Sequence, residues 1–405
     1  MIKSVKISNF KSVVDLSLDL GSFNVLIGEN GCGKSNILEA IAFGAAANAD
    51  KLDNEFLGSR GIRMTKPDFM FSAFSSSDHK KDILISINDE NSNNEFHLVT
   101  DEKNPKKWID INRVLASLEF ENFLKALMIN DDNDDDTKKQ ILAQLNNEPN
   151  ELVNLPQLLM PFSTDNNFKE FFFKAFPKLM NELVTNTDIS SYIVYSPEQS
   201  SLRKFEETTQ IYPLGIKGEG LFQYLKELAF DKESRKVLKE IKENLVLLDW
   251  YEDFQLPKNL MSNEYALNIK DRYLDTNLQY FDQRSTNEGF LYLLFYSTLF
   301  TSKTTPTFFA IDNIDASFNP KLCSKVIQTL AILAKKHNKQ VIVTTHNPAV
   351  LDGLNLKDDS QRLFVISRNM EGHTRARRIE YKADRTISTS DAWRKGLIGG
   401  LPDNF

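Results

Sequence analysis

Cysteine is nearly missing from this 405-residue chain: Cys32 and Cys323 are the only two, too few for a disulfide framework or a four-ligand zinc site. Both are therefore read as reduced thiols. No apolar run approaches the ~18 residues a membrane-crossing helix needs. Residues 1–6, Met-Ile-Lys-Ser-Val-Lys, open on a strand pattern and not on the apolar core of a signal peptide. The expectation is a cytoplasmic protein with no membrane partner. Apolar heptads are not sustained for several turns, which excludes a long coiled-coil arm. An excess of positive charge is lacking too. Net charge is −7, so the surface as a whole repels nucleic acid, and any such contact needs a local patch or a partner. The remaining composition, 41% hydrophobic and 26% charged, is that of an ordinary globular protein. The length allows two or three average domains, or one large α/β core with an insertion.

The most informative stretch is Gly28-Glu29-Asn30-Gly31-Cys32-Gly33-Lys34-Ser35, which fits G-x-x-x-x-G-K-[ST] without departure. An apolar strand pattern precedes it at residues 22–27, and apolar residues at helical spacing follow at 36–43. Strand, loop and helix in that order make a phosphate-binding loop. Its glycines let backbone N–H groups turn inward, the helix adds its positive end, and Lys34 reaches the outer phosphates. Ser35 is placed to hold Mg²⁺ through its hydroxyl.

Residues 3–7 and 13–18 read as two strands joined by a turn at Asn9-Phe10-Lys11-Ser12, and residues 82–87 and 95–99 as a hairpin. His97, in the returning strand, reads as a half-exposed sheet residue, with no metal-ligand spacing near it. From residue 103 to about 213 the spacing becomes helical, as at Val114, Leu118 and Phe168–Leu183, and reads as a compact helical insertion. Its acidic run, residues 131–136, lacks the glycine and closing glutamate of a calcium loop and reads as solvated. Phe171, Phe172, Phe173 and Phe176 read as helix core. Further on, Ser285 is expected to cap an apolar helix at 290–300, with Glu288 completing a capping box. Residues 307–312 form an apolar strand ending in Asp312, the Walker B pattern, whose carboxylate meets Mg²⁺ at a parallel strand's C-terminal end. A second such strand, 340–345, ends at His346, which alone among the five histidines has a strand-end context. Arg375, Arg377 and Arg378 cluster beside a strand, as a solvated edge or a nucleic-acid patch.

Taken together, the Asn-Phe-Lys-Ser turn, the loop Gly-Glu-Asn-Gly-x-Gly-Lys-Ser-Asn, the Walker B strand and the strand ending in His346 resemble the RecF, SMC and OLD-like branch of ABC-type ATPase heads. The resemblance implies an α/β P-loop head: a mostly parallel sheet core plus an antiparallel β lobe, at residues 1–102 and 211–405, with the insertion at 103–210. It implies ATP and Mg²⁺ as cofactors. The nucleotide would be held by residues 28–36, Asn36 included, with Phe10 and Lys11 beside it, and the metal by Ser35 and Asp312. Ser285, Asn287 and Gly289 stand where the family carries the signature that binds the nucleotide of an opposing subunit. Asp315 falls in the D-loop, and His346 is the switch histidine that orients the attacking water. Asn313 occupies the place of the usual catalytic glutamate, and Asp315 is the nearest replacement. A γ-phosphate-sensing glutamine is missing near residues 51–81, where Arg60 or Arg63 could substitute. No complete nuclease domain fits after His346. The resemblance thus points to a slow, nucleotide-gated scaffold that self-associates through its heads and controls a separate effector, a nuclease or toxin, in antiphage defence. The alternatives are a RecF-type DNA clamp and a scaffold that never turns its nucleotide over.

Overall fold

The computed structural model describes residues 1–74, 82–115, 187–203, 211–256 and 267–401, apart from 91, 102, 105, 232, 233, 276, 384 and 385. The helical runs expected at 114–128 and 168–183, the acidic run and the four phenylalanines lie mostly or wholly outside these residues.

Along the chain come β1 (Ser4–Phe10), β2 (Val13–Asp19), β3 (Phe23–Ile27), α1 (Lys34–Asn48), α2 (Asn54–Ser59), β4 (Asp82–Asn88), β5 (Asn93–Thr100) and β6 (Trp108–Asp110). Then follow α3 (Thr187–Ser190), β7 (Val194–Tyr195), α4 (Gln199–Arg203), α5 (Leu221–Phe230), α6 (Arg235–Leu245), β8 (Tyr251–Gln255), β9 (Asn268–Asp271) and β10 (Phe281–Asp282). The last part holds α7 (Glu288–Thr301), β11 (Phe308–Ile311), α8 (Pro320–Lys336), β12 (Gln340–Thr345), β13 (Gln361–Arg368), β14 (Thr374–Ile379) and α9 (Thr389–Arg394).

The central sheet has the order β14-β13-β3-β12-β11-β7, parallel throughout except for the antiparallel edge strand β14. Every residue of β3, β11 and β12 is buried, as expected of parallel strands covered on both faces. The second sheet, β2-β1-β4-β5-β6, is antiparallel, and it alternates buried with exposed residues because only one face is covered. Helix α1 lies between the two sheets. It is buried almost all round, and Gly44 stands so close to β4 that a Cβ there would meet Ile85 at 2.8 Å. The other face of the central sheet is covered by α7, whose strongly apolar sequence matches burial on all sides, and by the amphipathic α8.

This is the two-sheet P-loop head expected from the sequence, with a small third sheet, β10-β9-β8, beside it. The insertion differs at both of its ends. Trp108–Asp110 and Val194–Tyr195, placed by sequence in the helical insertion, are strands of the head. Runs of two or three residues are too short to carry an alternation pattern.

Candidate functional site

Residues 28–35 join β3 to α1. Gly31 and Gly33 take left-handed φ of 77° and 106°. At Gly33 no other residue fits, because a Cβ would stand 2.1 Å from Thr374 Oγ1. Gly33 occupies the capping position of α1 and offers no side chain, and no acidic residue follows in the first turn. The first N–H groups of the helix therefore keep their capacity for an anion. Lys34 is only 5% exposed, and its ammonium donates to the Gly28 and Glu29 carbonyls, each at 2.9 Å. Among the described residues no carboxylate lies within ion-pair distance of it. Burial pushes its pKa below the ordinary lysine value, while Cys32, Asp312 and Asp315 act the other way. A buried ammonium held by neutral partners, the two carbonyls, Cys32 Sγ at 3.7 Å and His346, at an uncapped helix start, fits a phosphate chain.

Ser35 Oγ donates to Asp312 Oδ2 at 2.9 Å, joining the loop to the end of β11. The other oxygen, Asp312 Oδ1, accepts from the Thr344 hydroxyl. The Asp312 N–H donates to the Tyr195 carbonyl at 2.8 Å. A hydroxyl and a carboxylate at this spacing are hard oxygen donors of the kind Mg²⁺ takes. Among the described residues there is no cluster of three His, Cys, Asp or Glu side chains. A cation here would complete its shell with phosphate oxygens and water, as Mg²⁺ usually does.

Asn313 follows with φ +57°, a left-handed conformation that asparagine tolerates better than most residues. Its N–H donates to Thr344 Oγ1 at 2.9 Å, and its side chain is exposed at the site. Asp315 Oδ1 accepts from Thr345 Oγ1 at 2.6 Å, so this carboxylate is bound to its own subunit's switch strand. His346 caps that strand with Nδ1 3.4 Å from Lys34 Nζ. Burial, reinforced by the lysine charge, lowers its pKa, which keeps the ring neutral through neutral pH. Lys34, Ser35, Asp312, Asn313, Asp315 and His346 therefore converge at the C-terminal ends of the parallel strands β3, β11 and β12.

Other expected site residues lie elsewhere. Phe10 is fully buried and packs on Phe43 with ring centroids 6.1 Å apart, so its side chain belongs to the core and not to a ligand site. Lys11, at φ +49°, gives its ammonium to the buried Glu39, which also takes Arg63. Arg63 Nη2 reaches Asn36 Oδ1 at 3.3 Å, next to the loop. Arg60 is turned away, over the Phe56 ring at 4.6 Å. Ser285 is not the cap of α7. It sits in the preceding turn with its Oγ donating to Asp282 Oδ1 at 3.2 Å, while Asn287 caps the helix by accepting from the Phe290 N–H at 2.9 Å. Glu288 does not close a capping box either, since it accepts from Ser317 Oγ at 2.6 Å and so ties the helix start to the D-loop. Gly289 is buried beside Ser317 and Phe318. The arginine cluster is engaged within the chain: Arg378 pairs with Asp359, Arg377 donates to the Ile398 carbonyl, and Arg375 donates to the Asp15 carbonyl at 3.5 Å. Unforeseen is β7, which runs parallel to β11 and carries the exposed Ser196 to the edge where Asp312 stands.

A phosphate loop, a Walker B strand two places along the same parallel sheet, and an antiparallel lobe packed across α1 define an ATPase head of the SMC/RecF-like ABC type. The chain belongs to the AAA domain family described as putative AbiEii toxin, type IV TA system, whose sequence model matches residues 23–352. A stretch of 42 residues, 10% of this chain, is 48% identical to the chromosome partition protein Smc of Coxiella burnetii (strain RSA 493 / Nine Mile phase I); it spans 4% of that protein's length. Among solved structures, an Smc head bound to the C-winged helix domain of ScpA is 13% identical and superposes with a TM-score of 0.54, over 94% of this chain and 98% of that one. The SMC head domain from Thermotoga maritima is 12% identical, with a TM-score of 0.47 over 94% of this chain and 99% of that one. The first of these likenesses bears on the fold alone.

Proposed function

We propose that this head binds ATP with Mg²⁺, turns it over slowly, and pairs with a second copy through the bound nucleotide. In the paired state it controls a separate effector, a nuclease or toxin, in a cytoplasmic antiphage system. The family's description as a putative toxin of a type IV TA system supports the defence reading. The partition into head segments 1–102 and 211–405 with an insertion at 103–210 is part of the same proposal, with β6 and β7 transferred to the head.

Lys34 and the first N–H groups of α1 would take the phosphates, and Ser35 and Asp312 would hold the metal. A Mg²⁺ held by Ser35 and Asp312 would supply positive charge that offsets that of the phosphates. Thr344 fixes the Asp312 carboxylate, and His346, kept neutral, would orient a water. Ser285 and Asn287, exposed ahead of α7, and Gly289 just behind them would meet the nucleotide of the opposing copy.

The observation that carries slow turnover is Asn313, an amide where a proton acceptor is usual, held by Thr344 in a left-handed conformation. An amide cannot take the proton of the attacking water. The test is sedimentation of the full chain with ATP, with ADP and without nucleotide, alongside phosphate release. An ATP-dependent dimer that outlives many-fold the seconds expected of an ordinary enzyme is the predicted result. A chain that stays monomeric at saturating ATP would refute head pairing. Tight duplex-DNA binding by the chain alone, with a steep salt slope, would replace the effector reading with a DNA-clamping one.

A further inference from the structure

The carbonyl of Cys32, in the middle of the phosphate loop, accepts a hydrogen bond from Thr374 Oγ1 at 2.9 Å. Thr374 opens β14, far away in sequence, and is fully buried. A carbonyl can only accept, so the threonine hydroxyl spends its one proton there. Ser12 Oγ lies 2.7 Å from Thr374 Oγ1 and must therefore be the donor of that contact. Ser12 in turn accepts from Asn36 Nδ2 at 2.7 Å, and Asn36 Oδ1 accepts from Arg63 Nη2 at 3.3 Å. Every proton in this chain points the same way: Arg63 to Asn36, Asn36 to Ser12, Ser12 to Thr374, Thr374 to the loop carbonyl. Bonds aligned head to tail polarise and strengthen one another, most of all where they are buried, as the last two are.

From this we infer that Thr374 is a positioning residue for nucleotide binding, the end of a one-way hydrogen-bond relay that sets the phosphate loop in its binding shape before the ligand arrives. The Cys32 carbonyl belongs to the peptide whose N–H is that of Gly33. Fixing the carbonyl on Thr374 fixes the orientation of that N–H on the opposite side of the peptide plane. The same hydroxyl occupies the space a Cβ of residue 33 would need, which binds the relay to the left-handed turn of Gly33. Two further contacts brace the loop from the same hairpin. Arg368 Nε donates to the Gly31 carbonyl at 2.9 Å, and a Cβ on Gly28 would stand 2.1 Å from the Ile366 carbonyl. A loop shaped in advance loses less freedom on binding. The relay touches no reacting atom, so its effect falls on affinity and leaves the chemical step alone.

The inference rests on the nucleotide-binding reading of this loop, and the test separates the two. The dissociation constant of Mg·ATP is titrated on the full chain for the parent and for Thr374→Val, Thr374→Ser, Ser12→Ala, the Thr374→Val/Ser12→Ala double variant and Lys34→Ala. Melting temperature and kcat are recorded for each. Thr374→Val keeps the branched shape and strands a buried carbonyl, and is expected to weaken binding about tenfold with kcat unchanged. Thr374→Ser restores the affinity. Ser12→Ala gives a smaller loss, and the double variant is no worse than Thr374→Val alone, because both substitutions break one relay. Parent-like affinity in a folded Thr374→Val chain overturns the inference, as do losses that multiply in the double variant. If Thr374→Val does not fold, parent-like affinity in Ser12→Ala overturns it equally. Parent-like binding by Lys34→Ala shows instead that the phosphate site itself is misplaced.

Discussion

Replacing Asn313 by glutamate restores a carboxylate to the position directly after Asp312, and its two effects can be separated in advance. The first is chemical. A general base contributes typically 10²–10⁴ in rate, or roughly 3–5 kcal/mol of barrier, so Asn313→Glu is expected to raise kcat at least about 100-fold. The second is conformational. Residue 313 has φ +57°, which costs an L-residue other than glycine or asparagine about 1–2 kcal/mol. That strain is present in the free and the ligand-bound enzyme alike, so it lowers stability without reaching kcat. Asn313→Asp supplies a carboxylate while keeping a short polar side chain that tolerates this region, and Asn313→Gly removes the side chain at no backbone cost. The expected pattern is therefore fast turnover in Glu and partly in Asp, parent-like turnover in Gly, and a lower unfolding midpoint in Glu alone. Phosphate release at saturating ATP, single-turnover hydrolysis and chemical denaturation read these quantities. A parent enzyme already turning over tens of times per second, within the usual enzyme range, refutes the reasoning. So does a folded, ATP-binding Asn313→Glu chain no faster than the parent. Loss of a fast parent activity in Asp315→Ala would then identify Asp315 as the base.

Lys34→Ala removes the buried ammonium and should reduce ATP affinity more than tenfold at unchanged circular dichroism; equal affinity in a folded variant means the loop is not the phosphate site. Mixed Lys34→Ala and Asn287→Arg chains should hydrolyse faster than either alone, since each supplies the half-site the other lacks, and no gain under conditions that exchange subunits argues against shared sites. Lys339 is 2% exposed and burial pushes its pKa down to about 8. Between that value and the ordinary lysine pKa of about 10.4 the unfolded chain binds more protons than the folded one, so stability should rise with pH across this window by up to about 3 kcal/mol. Lys339→Met should flatten that slope in urea unfolding from pH 7.5 to 9.5, and an equal slope in both chains contradicts it.

Much of the head was legible in the sequence because its chemistry is written in contiguous runs. The phosphate loop needs glycines, lysine and serine at fixed spacing between a strand and a helix, and residues 28–35 place them there. Asp312 and His346 were legible for the same reason, as polar ends of apolar strands that parallel pairing brings to the same end of the sheet. Where two local readings competed, only the folded chain decided. Ser285 suits a helix cap, but the turn built on Asp282 claims it and Asn287 takes the position instead. Phe10 ends β1 with its ring in the core, but the left-handed turn at Lys11 sends the next side chain to Glu39. Arginines that could have formed a patch are held by Asp359 and by backbone carbonyls. The relay ending on Thr374 had no sequence signal at all. It links residues 12, 32, 36, 63 and 374, and a threonine at the start of an edge strand looks like any other until the sheet order lays that strand's hairpin against the loop. Periodicity and motif spacing record what a segment does with its neighbours in the chain, whereas contacts between distant segments follow from strand order and burial, which the packed core selects.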